Sequence, residues 1–128
     1  MHKNEADLCV EGINRFLKQN LWMDFEVVSY QQNELVIWGS LSQAYPFEIE
    51  IVFSEIYFAS LPFQWHADTK KKILKIVEGE AAKSINLYFG VEQDYLIFSF
   101  VPEDRAEDTQ CLIGAKTIRY KLADTGAS

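Results

Sequence analysis

Apolar and polar residues first alternate with the period of a helix. Ala6, Cys9, Val10, Ile13, Phe16, Leu17 and Leu21 recur at i, i+3, i+4 and i+7 spacing, and Glu5, Glu11, Asn14, Arg15 and Lys18 fill the other side. This pattern predicts an amphipathic helix. Asn4 is its candidate N-cap. Glu5 and Asp7 suit the positive end of the helix dipole, and Arg15 and Lys18 suit the negative end. Gly12 costs about 1 kcal/mol relative to Ala and points to close packing against a sheet.

After Leu21 the period falls to about 2. Phe25 to Tyr30 reads as a strand, Gln31-Gln32-Asn33 as a turn and Glu34 to Ser40 as a second strand, so the pair is a hairpin. Leu41 to Tyr45 connects to a run with Phe47, Ile49, Ile51 and Phe53 on one side and Glu48, Glu50 and Val52 on the other. That is the signature of a half-buried antiparallel strand. Ser54-Glu55 reads as a tight turn or a bulge before strand-like Ile56 to Ala59. Leu61 to Asp68 contains Pro62 and reads as irregular.

Ile73 to Val77 fits either a short helix capped by Asp68 or Thr69 or a strand ending at Gly79, and its Ile and Val content favours the strand. Glu80 to Lys83 then reads as a helical turn or loop. Ile85 to Phe89 and Tyr95 to Val101 read as strands joined by a hairpin loop from Gly90 to Asp94. Pro102 to Gln110 is a solvated loop and Leu112 to Leu122 a last strand. The expected architecture is α+β: an N-terminal helix packed on a mainly antiparallel, meander-like sheet of about six to seven strands. Residues 1–122 form one domain and 123–128 a flexible tail. One sheet face is left open, and a function is expected there.

The 128 residues and 14.8 kDa suffice for one core without metal or disulfides. The 12 Lys and Arg against 19 Asp and Glu give a net charge of −7, which disfavours nucleic acid as a partner. The first residues lack the apolar core of a signal peptide, and no run is long enough for a membrane helix. The expected location is the cytoplasm. Cys9 and Cys111 lack metal-site or redox-motif spacing and are expected to be buried thiols in a reducing compartment, with a Cys9–Cys111 disulfide as the alternative.

The charge is uneven. No Lys or Arg occurs from Gln19 to Thr69, a stretch that holds Asp24, Glu26, Glu34, Glu48, Glu50, Glu55 and Asp68. Carboxylates from consecutive strands are expected to converge on one water-facing wall, which would attract a basic partner. Trp38, Tyr30 and Tyr57 are candidate anchors within it. Lys70, Lys71, Lys72 and Lys75 are a basic cluster, a weak footprint for nucleic acid or phosphate in a chain at −7, and are read instead as charge that blunts the edge of a neighbouring strand or as attracted to the early carboxylates.

Chemical motifs are few. His66 and Asp68 on a loop suggest a base and its orienting partner, but the further ligands a metal would need are not adjacent. Glu48 and Glu50 stand roughly 6.5–7 Å apart along a strand, a separation any exposed alternating strand produces. No nucleophile elbow, P-loop, dinucleotide fingerprint or metal motif occurs. No catalytic residue, metal or cofactor is therefore assigned.

In its small size, acidity and absent catalytic signature the chain resembles, by type and without a shared motif, small bacterial immunity or antitoxin-type proteins that mask a basic partner. The leading expectation is a non-enzymatic protein-binding module that uses Glu26, Glu34, Trp38, Glu48 and Glu50. A second is a small-ligand-binding or enzymatic domain with a site at Trp65, His66 and Asp68. A third is a structural homo-oligomer, a homodimer included. Neither nucleic acid nor membrane is an expected partner.

Overall fold

A computed structural model describes residues 1–41, 47–91, 94–102 and 111–123. In chain order the elements are α1 (Lys3–Leu17), β1 (Met23–Gln31), β2 (Glu34–Ser40), β3 (Ile49–Ser60), β4 (Gln64–Ala67), β5 (Leu74–Ile76), α2 (Gly79–Phe89), β6 (Leu96–Phe100) and β7 (Cys111–Leu122). The strands form one seven-stranded antiparallel sheet in the order β4-β1-β2-β3-β7-β6-β5, curled into a half-barrel. The expected α+β architecture, with a helix on a meander-like sheet, is what the chain adopts. Among the described residues no helix is long and apolar enough to cross a membrane.

Helix α1 buries Ala6, Val10, Ile13 and Leu17, as the periodicity requires. Three details differ. The helix starts after His2, whose extended backbone is the N-cap without a side-chain bond, so Asn4 lies inside the first turn. It ends at Leu17, and Leu21 is exposed. Asn14, assigned to the polar side, is buried. Gly12 does mark a close approach: a Cβ there would overlap the Tyr120 hydroxyl.

The β1–β2 hairpin turns through Gln32 and Asn33, both left-handed at φ 52° and 62°. Two such residues match the right-handed twist of the flanking strands. Of the tight turn or bulge expected at Ser54-Glu55, the chain adopts a bulge within one strand, β3: Glu55 is left-handed at φ 56°, and the register shifts just after it, between Ile56 and Phe58. Phe47 precedes β3 and packs on Trp38 of the outer face, so the alternation begins at Ile49.

The bulge redirects the chain. Gln64 lies opposite Glu26, Glu26 opposite Trp38, and Trp38 opposite Glu50, so Gln64 stands level with Glu50. A straight β3 would carry Ser60 about 33 Å beyond Glu50. The four peptide units from Ser60 to Gln64 span at most about 14 Å, so β3 folds back over the hairpin. Asn33 pins this corner. Its carbonyl accepts the Glu55 N–H at 2.9 Å, and its Oδ1 accepts the Ile56 N–H at 3.1 Å.

Two further expectations are corrected. The stretch read as irregular contains β4, which adds to the β1 edge. Residues 85–89, read as a strand from their apolar alternation, are the end of α2. The favourable helix formers Ala81, Ala82 and Lys83 precede them, and Gly90 closes the helix in the left-handed conformation (φ 68°) with its N–H on the Asn86 carbonyl. The strand preference at 73–77 holds, as β5. The loop expected over 102–110 lies outside the described residues from Glu103 on, as does the tail after Ala123.

The concave side of the sheet holds the core. Phe25 stacks on Trp65 at 5.6 Å, and Phe53 meets Phe98 and Phe100 edge-on at 5.1 and 6.2 Å. Each buried Phe contributes about 1.5–3 kcal/mol. Gly39 lies beneath this cluster, where a Cβ would sit 2.7 Å from Met23 Sδ, 2.8 Å from Ile49 and 2.9 Å from Phe25.

Candidate functional site

On the convex side the strand register aligns Gln64, Glu26, Trp38, Glu50 and Lys121 in one row across β4, β1, β2, β3 and β7. Cross-strand neighbours in such a row interact directly. The Trp38 indole N–H donates to Glu50 Oε2 at 2.9 Å, and its ring lies 4.9 Å from that of Phe47. Lys121 Nζ sits 4.0 Å from Glu50 Oε1 and 5.8 Å above the Phe47 ring. The centre of the row is thus a half-buried aromatic pair. Glu26 flanks Trp38 from β1, exposed and with no cation in ion-pair contact among the described residues.

The remaining predicted acids are engaged. Arg119 grips Glu34 through its two terminal guanidinium nitrogens at 3.0 and 3.3 Å, and the Ser54 hydroxyl donates to Glu34 Oε2 at 2.9 Å. The Arg119 hydrogen bonds, aided by Ser54, hold the Glu34 carboxyl below the usual glutamate range. Glu48 Oε2 accepts the Leu41 backbone N–H at 2.8 Å. The early carboxylates therefore share a region, but they are not the unneutralised wall that the sequence suggested. The neutralising cations come from β7, distant in sequence. Among the described residues none of Lys70, Lys71, Lys72 and Lys75 pairs with them.

Trp65, His66 and Asp68 do not converge. Successive strand residues point to opposite faces, so Trp65 enters the core while His66 faces out. Trp65 is only 4% exposed, and its indole N–H has no partner among the described residues. His66 Nδ1 lies 2.6 Å from Asp24 Oδ1, and its ring stacks on Trp22 at 5.4 Å. Asp24, not Asp68, is the carboxylate beside His66. Asp68 instead accepts the Lys70 N–H at 3.0 Å. Among the described residues no cluster of His, Cys, Asp and Glu suits a metal ion.

A second concave feature had no sequence signature. The folded-back half of β3 and the Leu61–Phe63 link enclose a cleft of about 490 Å³ against the hairpin, floored by Val27, Leu35, Ile56 and Leu61. Tyr30, Tyr57 and Phe63 stand at its rim, with Phe63 81% exposed. Tyr57 donates its hydroxyl to the Gly90 carbonyl at 2.6 Å. The β3 corner makes this cleft, so local patterning carries no trace of it. No family model, curated protein or solved structure matches the chain.

Proposed function

We propose that the protein is a non-enzymatic binding module that engages a basic protein partner through the convex face of β1, β2 and β3. The observation that carries this reading is the row Glu26–Trp38–Glu50, in which an aromatic centre is bracketed on both neighbouring strands by carboxylates. Aromatic anchors in a polar rim are the usual source of interface energy, and acidic neighbours speed capture of a basic surface. The surface is narrower than the sequence suggested. Glu34 is committed to Arg119, Glu48 to the Leu41 backbone and Glu50 to Trp38 and Lys121, so they support the face, and Glu26 is the carboxylate left to meet the partner. An immunity- or antitoxin-like role in a bacterial cytoplasm is the form of this reading that fits the net charge of −7 and two cysteine thiols.

The test is capture of partners by the tagged full chain from its source cells, run beside Glu26→Lys/Trp38→Ala and Lys71→Glu variants. A partner of high isoelectric point, lost with the first variant and kept with the second, supports the reading. A partner kept by the first variant overturns it.

The cleft at the β3 corner favours a second reading, binding of a small apolar ligand. Its volume is within the range of small-molecule sites, about 300–1,000 Å³, and all of its lining residues are apolar or tyrosine. Saturable binding of an apolar fluorescent probe, abolished by Leu61→Trp, would support it. Unchanged fluorescence in both proteins would remove it.

A further inference from the structure

We infer that the protein carries an anion site where α1 meets the Lys70–Lys72 turn, suited to a compact molecule with two or more phosphoryl groups. Arg15 from the last turn of α1, Lys18 at its C-cap and Lys72 from the turn line one open cleft of about 370 Å³, together with Glu11 and Asn14. Lys70 and Lys71 are the exposed neighbours of Lys72. Among the described residues no carboxylate lies within ion-pair distance of these five cations, although acids outnumber bases in the chain.

The turn is held in place at both ends. Before the lysines, the fully buried Thr69 donates its hydroxyl to the Asn20 carbonyl at 2.6 Å and its N–H to the Leu21 carbonyl at 3.3 Å. After them, the Ile73 and Leu74 N–H groups donate to Asn14 Oδ1 at 3.2 and 3.1 Å. Only three residues lie between these anchors, and all are lysine. The fold thus holds Lys72 at the same cleft as Arg15 and Lys18, a gathering of like charge that a bound anion would relieve.

Simpler roles explain parts of this cluster. Cations near a helix C-terminus offset its dipole, which accounts for Arg15 and Lys18. Lysines blunt an exposed strand edge, which suits Lys75 on β5. Neither accounts for Lys72, held between two buried anchors at the cleft that Arg15 and Lys18 line. The planar Arg15 guanidinium matches phosphoryl oxygens. The net charge of −7 repels an extended polyanion beyond these few cations, so a small anion is favoured over a nucleic acid.

The experiment is a titration of the full chain with inorganic tripolyphosphate at constant ionic strength, read by amide shifts and thermal melting. Saturable shifts confined to residues 11–20 and 68–74, with a raised melting temperature, are expected. Arg15→Gln/Lys72→Gln should weaken binding by about tenfold or more, while Lys83→Gln leaves it unchanged. Three results would overturn the site: equal loss in the Lys83 variant, shifts elsewhere, or tighter binding of a single-stranded oligonucleotide than of tripolyphosphate.

Discussion

Asn14 and Leu74 form a reciprocal pair across the seam between α1 and β5. The Asn14 amide donates to the Leu74 carbonyl at 2.8 Å, and its Oδ1 accepts the Leu74 N–H at 3.1 Å, with Ile73 N–H on the same oxygen. One side chain thus supplies the bonds that a neighbouring strand would give the outer edge of β5. Asn14→Leu leaves three buried backbone groups without partners and should destabilise the fold by about 2–4 kcal/mol. Asn14→Asp keeps the acceptor and loses the donor, so it should fall between. Urea unfolding measures both, and amide exchange at Leu74 should accelerate in each. Equal stability of Asn14→Leu and wild type would refute the pairing.

Gly39 should resist even the smallest side chain. A Cβ there overlaps Met23, Phe25 and Ile49, all at the bottom of the core. Gly39→Ala is expected to cost about 1–3 kcal/mol through overpacking. Gly12→Ala should cost less, because its obstacle is the outer end of Tyr120, which is 37% exposed. Thermal melts of the two variants would rank them.

The β3 corner offers a change in the opposite direction. Glu55 holds φ 56° without being glycine, a conformation that disfavours side chains with a Cβ. Glu55→Gly should be neutral or stabilise by up to about 1 kcal/mol, the relief being partly offset by glycine's entropy. Glu55→Val should destabilise by more than about 1 kcal/mol. Chemical denaturation distinguishes these outcomes.

Glu34 should report its grip by Arg119 in its titration. Its carboxyl is held low in the folded protein, so the folded state binds this proton less readily than the unfolded state. The contribution to stability is present above the unfolded glutamate pKa of about 4.3 and is lost as pH falls through the lower folded value. An NMR titration should place Glu34 below ordinary glutamates, and Arg119→Gln should return it toward them.

Cys9 should react slowly with a thiol reagent under native conditions. It is half-buried, and burial pushes its thiol pKa up, leaving little thiolate at neutral pH. Cys111 is fully buried. Both should label rapidly only in denaturant, and fast native labelling at Cys9 would contradict its environment.

Local patterning determined the elements whose period is unambiguous. The buried stripe of α1, the β1–β2 hairpin and the inward set Ile49, Ile51 and Phe53 follow from side-chain direction alone, because period 3.6 and period 2 each leave one apolar side that must leave water. Where apolar residues were few, the period misled: Ile85, Leu87 and Phe89 alternate like a strand but lie on a helix that buries none of its residues, and Gly90 was the better signal. Only the tertiary structure decided who stands beside whom. Arg119 reaches Glu34 across 85 positions, His66 takes Asp24 rather than Asp68, and Asn14 leaves the polar side of its helix to complete β5. Charge balance and hydrogen bonding are set by distance in space, and strand order and the bend at Glu55 fix those distances long after sequence separation has ceased to indicate them.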